Sequence, residues 1–286
     1  MNQACFECDY KQVDKVAQLV QMDEMEKSAL KKEVQAYLKQ CDMQQSNPAI
    51  MAEIWSLITK RIHQPDPYAS IKHEYNQKML AWLPEIQAAI GQDLNKVLKV
   101  AIAANLIDFS AKDLLEDEQV RQLLLNAPTP QLAHDDSMSL FASVHHAKRL
   151  LYLGDNCGEI VIDRYLIECL KQFYPQIEVT YAVRGKAIVN DVTLQDADEI
   201  GMSVVARIIS NGDGSLGTVL ERTSEAFQDT FAKADVVIAK GQGNYEGLKG
   251  CRKENLYFLF MSKCALVSHW AKVPLNGIVC LKNSRG

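Results

Sequence analysis

Short apolar segments alternate with helical segments through the second half of this 286-residue chain, and this alternation limits the fold more than any other feature. Six apolar segments are rich in Val, Ile and Tyr, which favour strands. They are KRLLYLG, IEVTYAVR, SVVARIIS, ADVVIAKG, LYFLFMS and GIVCLK. Predicted helical segments such as GEIVIDRYLIECLKQFY and LGTVLERTSEAFQDTFAKA, residues 216–234, separate them. The alternation predicts a Rossmann-like α/β domain over residues 131–286, with a mostly parallel sheet covered by helices on both faces.

Residues 1–130 instead show the apolar periodicity of α-helices. Segments such as EKSALKKEVQAYLKQ and AIMAEIWSLITKRI repeat apolar residues at spacings of three and four. The segment HQPDPYASIK interrupts this periodicity with two prolines, which end helices. We therefore predict an N-terminal all-helical domain that packs on the α/β domain.

The composition excludes several classes of protein. A formal net charge of -5 gives no basic surface for nucleic acid, and no run of Lys and Arg suits an anionic membrane. No apolar stretch is long enough to span a bilayer. The segment MNQACFECDYKQVDKV lacks the pattern of a secretory signal, so we expect a cytoplasmic protein with reduced cysteines.

Polar side chains follow the predicted strands where ligands bind in open α/β sheets, beyond the carboxyl ends. Asp155 and Asn156 follow the first strand, Arg184 and Asp191 follow the second, and Lys240 follows the fourth. Because the carboxyl ends of parallel strands share one edge, we expect these side chains to lie close together. Taken singly, such residues are ordinary turn formers, so the prediction depends on their combination.

Three of these side chains carry the oxygen ligands that hard cations prefer. The carboxylates of Asp155 and Asp191 and the amide of Asn156 suit Mg²⁺ or Mn²⁺ rather than zinc. Lys240 and Arg184 supply positive charge for a phosphate, and helix N-termini after Gly158 and around Gly241–Asn244 offer backbone N–H groups. This combination predicts metal-assisted phosphoryl transfer to water.

The first strand-to-helix turn also argues against other chemistries. GDNCGE does not fit the G-x-G-x-x-G pattern of dinucleotide sites, because an acid and an amide occupy positions that must be bare. Arg184 stands where an acid would hold a ribose. The turn also lacks the D-x-D-x-T pattern of phosphatases that form an aspartyl phosphate.

Several motifs together resemble those of the damage-control phosphatases, long known as domain of unknown function 89. In order, they are DPYASIK, AANLIDF, YLGDNCGEIVID, AVRGKAIVNDVTLQDA, SNGDGSLGT and ADVVIAKGQGNYEGL. The resemblance extends from about Cys5 to residue 282. The pair GDNxGE and KGQGN is highly specific, whereas either motif alone is not.

The resemblance implies a helical domain on a Rossmann-like domain and metal-dependent hydrolysis of small phosphorylated metabolites, with Mn²⁺, Co²⁺, Ni²⁺ or Mg²⁺. The family's metal ligands match Asp155, Asn156 and Asp191. The candidate catalytic residues are Asp155, Asp191 and Lys240. The candidate phosphate- or substrate-binding residues are Lys240, Arg184, Gly241, Asn244, Glu159, Asn105 and Asp108.

The cysteines suggest a second site. Cys5 and Cys8 form C-x-x-C, which is half a zinc site, but a second C-x-x-C is missing. The resemblance is to the family's prokaryotic branch, which tends to carry this pair and a later KC, here Cys264. Two interpretations stay open. Either a metal ion or a redox reaction links these three cysteines, or they are packed thiols without such a link.

The preferred hypothesis is a metal-dependent phosphatase in which an activated water attacks phosphorus. An adenosylmethionine-dependent carboxyl methyltransferase is the first alternative, and the missing glycine pattern argues against it. A non-catalytic sensor of a phosphorylated metabolite with a cysteine switch is the second. The sequence leaves open which metabolite is bound, which metal is used and the oligomeric state.

Overall fold

The structure, a computed structural model, describes residues 3–106 and 116–283. The described strands are β1 (His134–Asp135), β2 (Arg149–Leu153), β3 (Glu178–Val183), β4 (Arg207–Ser210), β5 (Val236–Lys240), β6 (Leu256–Met261) and β7 (Ile278–Lys282). The described α-helices are α1 (Gln3–Leu19), α2 (Glu24–Gln40), α3 (Asn47–Ile62), α4 (Ala69–Ile90), α5 (Leu94–Ala103), α6 (Asp117–Asn126), α7 (Ser137–His146), α8 (Glu159–Phe173), α9 (Leu194–Glu199), α10 (Glu225–Lys233), α11 (Gly241–Leu248) and α12 (Ala265–Ala271). Within this part of the chain, no helix has the length and apolar content needed to cross a membrane.

The described strands form one sheet in the order β1-β7-β6-β5-β2-β3-β4. Strands β2 to β6 pair in parallel, and β7 runs antiparallel to β6. The prediction of a mostly parallel sheet is confirmed, and all six predicted strands are present. The sequence did not reveal β1, because it has only two polar residues and exists through its pairing with β7.

The order of connection reverses at β2. The chain continues from β2 through α8 to β3 and β4 on one side, and it later returns to β5 on the other side of β2. Such a reversal opens a crevice at the carboxyl ends of the two central strands. The residues that follow Leu153 and the end of β5 at Lys240 therefore flank one crevice.

Both faces of the sheet are covered. Leu150 and Tyr152 belong to a core that includes residues of α5 and α8, whereas Leu151 and Leu153 belong to a core that includes residues of α10, α11 and α12. Successive residues of a strand point to opposite faces. A strand buried on both faces must be apolar throughout, which explains the continuous apolar segments of the sequence.

The N-terminal helices divide between two cores. Helices α1, α2 and α3 form a core of their own, joined by Ile188 and Val189 from the loop after β3. Helices α4 and α5 instead share the core of the sheet, for example through Ile86 and Val97. The predicted domain boundary at residue 130 stays a prediction, but this packing places α1 to α3 against the carboxyl edge of the sheet.

One predicted helical segment, residues 216–234, is α-helical only in its second half, and its first half contains a single 3-10 turn at Leu220–Arg222. Helix α10 begins after Ser224, whose side chain accepts a hydrogen bond from the N–H of Phe227. Upstream, Gly217 has a φ of 129° and the hydroxyl of Thr218 donates to Asn244 at 2.7 Å. This part of the segment is therefore held in an irregular conformation against the loop after β5.

Candidate active site

Two loops at the carboxyl edge of the sheet are joined by backbone hydrogen bonds. The N–H of Cys157 donates to Asn190 at 2.9 Å, and the N–H of Val192 donates to Asp155 at 2.8 Å. Asn156 and Asp191 form an antiparallel bridge between the loops. The structure thus brings together the three residues predicted as metal ligands, and the main chain holds them there.

The turn that presents Asp191 contains an unusual backbone conformation. Val189 has a φ of 46°, in the left-handed region that β-branched residues rarely adopt. The N–H of Asp191 closes the turn on the carbonyl of Ile188 at 3.0 Å. Ile188 and Val189 are buried in the core of α1 to α3. Because surrounding structure must hold a strained residue, these helices help to position Asp191.

Gly241, the first residue of α11, lies directly against the carboxylate of Asp155. Its φ is 77°, and a Cβ atom built there would overlap that carboxylate. Glycine is therefore required at this position for both the backbone conformation and the close approach.

A hydrogen-bond network orients the carboxylates of Asp155 and Asp191. Oδ2 of Asp155 accepts from the side-chain amides of Asn105 and Asn156, each at 2.9 Å. Arg184 lies between the two acids: its Nε donates to Asp191 at 2.6 Å, and its Nη2 is 3.5 Å from Oδ1 of Asp155. The amide nitrogen of Asn156 also donates to Glu159 at 3.2 Å, which leaves its carbonyl oxygen for another partner.

Burial dominates the protonation of both acids. It raises the pKa of Asp155 well above the ordinary range, and the charges of Asp191 and Glu159 raise it further, whereas Arg184 and Lys263 lower it. Burial likewise raises the pKa of Asp191 to about 6, although Arg184 acts in the opposite direction. The two acids therefore repel each other in a site that excludes most water.

Lys240 lies behind this network rather than in it. Its side chain is 0 % exposed and forms ion pairs with Glu159 and Asp163. The hydroxyls of Tyr152 and Tyr181 donate to Asp163 at 2.7 and 3.1 Å. In this position the ammonium compensates two buried carboxylates.

A cavity of about 310 Å³ opens beside the two loops. Of the predicted metal- and substrate-binding residues, Asn105, Asp155, Asn156 and Asp191 line it, and two of the three predicted cysteines, Cys8 and Cys264, line it as well. Five others are not among its lining residues: Arg184, Glu159, Lys240, Gly241 and Asn244. These five hold the lining residues in place, and their direct contact with substrate stays a prediction. Asp108 lies outside the described residues.

Asn244 is one of these five residues, and its hydrogen bonds show how it holds its neighbours in place. Its amide nitrogen donates to the carbonyls of Gly154 and Lys240, at 3.1 and 2.7 Å. Its carbonyl oxygen accepts from Thr218 at 2.7 Å and from Arg184 at 3.3 Å. Asn244 therefore ties together the ends of β2 and β5 and orients the arginine.

The cavity also has lining residues that the sequence did not indicate. Three lysines contribute, namely Lys11 and Lys15 of α1 and Lys263 after β6. Lys263 could have been found by extending the search for polar residues to the next strand end. Apart from the cysteine pair, helix α1 carries no local signal for Lys11 and Lys15, because their contribution depends on how the helix docks against the sheet.

The three cysteines predicted as a second site line an adjoining cavity of about 470 Å³, together with His269 and Glu246. Sγ of Cys264 accepts from the N–H of Val267 at 3.5 Å, at the start of α12. Across residues 3–106 and 116–283, no three His, Cys, Asp or Glu side chains converge as metal ligands. A metal or redox role for Cys5, Cys8 and Cys264 stays a prediction.

The residues around Asp155 fit a hard divalent cation. Four buried carboxylates, those of Asp155, Asp191, Glu159 and Asp163, are accompanied by two fully buried cations, Arg184 and Lys240. With all groups ionised, the four negative and two positive charges leave a net charge of -2 (2 − 4). The oxygens of Asp155, Asp191 and Asn156 that line the cavity are hard ligands, which together with this charge suit Mg²⁺ or Mn²⁺.

The fold and this site together define an α/β protein with an acidic, ligand-sized cavity at the switch point of its sheet. The family model of the damage-control phosphatase ARMT1-like domain matches residues 1–279. The chain belongs to this family, which confirms the resemblance seen in the motifs. That the chain belongs to the branch of the family that carries the cysteine pair stays a prediction.

Individual relatives agree with this assignment. A damage-control phosphatase of Pyrococcus horikoshii is 34% identical over 239 residues, 82% of each chain. An uncharacterised protein of Methanocaldococcus jannaschii is 31% identical over 289 residues, covering 97% of this chain and 94% of the relative. The crystal structure of a domain-of-unknown-function-89 protein from P. horikoshii matches with a TM-score of 0.92 and 28% identity, covering 99% of each chain. These relationships support a phosphatase role on phosphorylated metabolites.

Proposed function

We propose that the protein is a metal-dependent phosphomonoester hydrolase that acts on small phosphorylated metabolites in the cytoplasm. The observation that carries this proposal is the group of Asp155, Asn156 and Asp191 on one cavity wall, held in place by the main chain and by Arg184. The net negative charge of the buried groups supports a divalent cation as their partner. The family relationship supports the phosphatase chemistry.

Different residues of the chain have different roles in the proposed reaction. Asp155, Asn156 and Asp191 would hold the cation, which when bound would neutralise phosphate charge and make water a better nucleophile. Arg184 and Asn105 orient the carboxylates. A second role for Asp155 or Asp191, as the base that takes a proton from the attacking water, is compatible with this placement.

Donors on the cavity wall favour an anionic ligand. The amide nitrogen of Asn190, a residue 3 % exposed, is buried and has no hydrogen-bond partner in the part of the chain that the structure describes. Lys11, Lys15 and Lys263 line the same cavity. We assign the phosphate contacts to these residues, because they line the cavity, whereas Lys240 and Arg184 do not.

Metal removal tests the proposed reaction. Protein stripped with a chelator should release little phosphate from a panel of sugar, nucleotide and pantetheine phosphates. Adding Mg²⁺, Mn²⁺, Co²⁺ or Ni²⁺ should raise the rate by about 100-fold or more, because the cation supplies several kcal/mol of charge stabilisation. No release with any of these metals, from protein shown to be folded, would refute the proposal for this panel. Thermal stabilisation by adenosylmethionine without metal would instead favour the methyltransferase alternative.

Gly241→Ala tests the close approach to Asp155. The added methyl group must displace the carboxylate, and the residue must keep a positive φ that costs about 1–2 kcal/mol outside glycine. We expect a loss of about 100-fold in kcat/KM, as for other displacements of about 1 Å in an active site. Gly250→Ala is the matched control, since a methyl group there meets no atom within 4 Å. Equal activities of the two variants would contradict the steric role of Gly241.

A further inference from the structure

Four residues form an oxygen-rich part of the cavity wall that the proposed chemistry does not use. They are Asp9 and Gln12 of α1, Asn47 of α3 and Glu246 of α11, and we call them the acceptor wall. All four line the cavity that Asp155 lines. The sequence analysis assigned none of these four residues to the site.

Three oxygens of the acceptor wall are buried and have no hydrogen-bond partner among residues 3–106 and 116–283. They are Oδ2 of Asp9, Oε1 of Gln12 and Oδ1 of Asn47. Asp9 is only 3 % exposed. Buried polar atoms in native proteins nearly always have a partner. Three exceptions on one wall of one cavity therefore indicate that a ligand supplies the missing donors.

The orientation of these groups defines the ligand's chemistry. The side chain of Asn47 hydrogen-bonds to the carboxyl group of Asp9, so its amide nitrogen is used within the wall and its oxygen is left. Burial raises the pKa of Asp9 to about 7 and also raises that of Glu246, yet ionised forms of both would repel an anion. The wall accepts hydroxyl or ammonium donors and disfavours phosphate, carboxylate and purely apolar groups.

The cavity is also small. Its volume of about 310 Å³ is at the lower end of the usual range for ligand pockets, roughly 300–1,000 Å³. The metal-ligand side chains and the acceptor wall share this volume. Because both groups line one cavity, a single small ligand can contact both of them.

We propose that the acceptor wall binds the hydroxyl or ammonium groups of the substrate's organic part, so that the enzyme selects compact phosphomonoesters rich in hydrogen-bond donors. This inference rests on the proposed phosphatase function and adds to it the residues that choose the substrate. Gln12 and Asp9 are specificity-determining residues in this assignment, since they contact the part of the substrate away from phosphorus.

The test compares three phosphate esters with the same four-carbon chain: erythritol phosphate, aminobutyl phosphate and n-butyl phosphate. We measure kcat/KM with the activating metal and, independently, affinity by calorimetry. We expect at least one donor-bearing ester to exceed n-butyl phosphate by about 100-fold or more in kcat/KM, because a site built for hydrogen bonds rejects analogues that lack them. The favoured ester identifies hydroxyl or ammonium as the donor.

Two substitutions test whether the acceptor wall causes the preference for donor-bearing esters. Gln12→Met keeps the length of the side chain and removes its acceptor, and Asp9→Leu removes the unpartnered carboxylate. Both should lower the selectivity ratio by about tenfold or more. Gln18→Met is the control, because Gln18 is an exposed residue of the same helix outside the cavity, and it should leave the ratio unchanged. A purely structural role would lower the rates for all esters together and leave the ratio intact.

The outcomes separate the two proposals. Equal kcat/KM values and equal affinities for the three esters would overturn the acceptor wall while leaving the phosphatase function standing. A calorimetric preference for a donor-bearing ester without turnover would support the acceptor wall and refute the phosphatase function. Selectivity that Gln12→Met and Asp9→Leu both leave unchanged would also overturn the assignment.

Discussion

Replacing Asp155 by alanine is expected to lower kcat/KM for metal-dependent phosphate release by about 1000-fold or more. Asp155 supplies a carboxylate to the group that would hold the cation, and loss of the charge stabilisation that a bound cation provides is worth about 4 kcal/mol. Asn156 and Asp191 would remain, but the network that orients them passes through Asp155. The measurement is kcat/KM at saturating metal, with metal affinity determined by calorimetry.

The same variant should remain folded. It loses hydrogen bonds from Asn105 and Asn156, but it also loses a buried carboxylate that Asp191 and Glu159 repel. These effects oppose each other, so the melting temperature should stay within a few degrees of the original value. Asp213→Ala is the matched control, since Asp213 is 7 % exposed and Asp155 8 %, but Asp213 does not line the cavity. Metal-dependent activity in folded Asp155→Ala comparable with that of Asp213→Ala would exclude Asp155 as a required ligand.

Replacing Lys240 by methionine is expected to lower the free energy of unfolding by about 3–5 kcal/mol. The ammonium pairs with Glu159 and Asp163 in a fully buried site, and its removal leaves two buried carboxylates without their cation. Such a loss is far larger than that for a surface ion pair. Chemical denaturation of the metal-free protein measures it without reference to activity.

Two further variants make this prediction decisive. Lys233→Met breaks the exposed pair with Asp229 and should cost less than about 1 kcal/mol. Adding Asp163→Asn to Lys240→Met should restore part of the lost stability, because it removes one uncompensated charge. If Lys240→Met instead keeps full stability and only raises KM for phosphate esters, Lys240 contacts the phosphate directly, as the sequence pattern predicted.

The central strands could be predicted from the sequence because they are buried on both faces. A strand segment that is buried on both faces must be apolar, so residues 150–153 and Leu256–Met261 are visible as continuous apolar segments. The two polar residues of His134–Asp135 give no such signal, because only pairing with β7 makes them a strand. Residues 216–224 also differ from the predicted helix, because their contacts with Asn244 override the local pattern.

The metal-ligand side chains could be predicted for a related reason. Asp155, Asn156 and Asp191 follow strand ends directly, and parallel strands deliver their ends to one edge. Chain position alone could not distinguish the side chains that line the cavity from those behind it. Lys240 also stands at a strand end, yet its side chain is buried between two carboxylates of α8.

The sequence by itself determined the α/β class, the six main strands and the family, because these depend on hydrophobic pattern and on motifs that are contiguous in the chain. The tertiary structure decided which charged side chains line the cavity and which form buried ion pairs. Burial and ion pairing depend on neighbours that are far apart in the sequence. The tertiary structure also decided that Asp9 and Gln12 reach the site. Helix α1 carries them there only because its core with α2 and α3 docks on Ile188 and Val189 at the edge of the sheet.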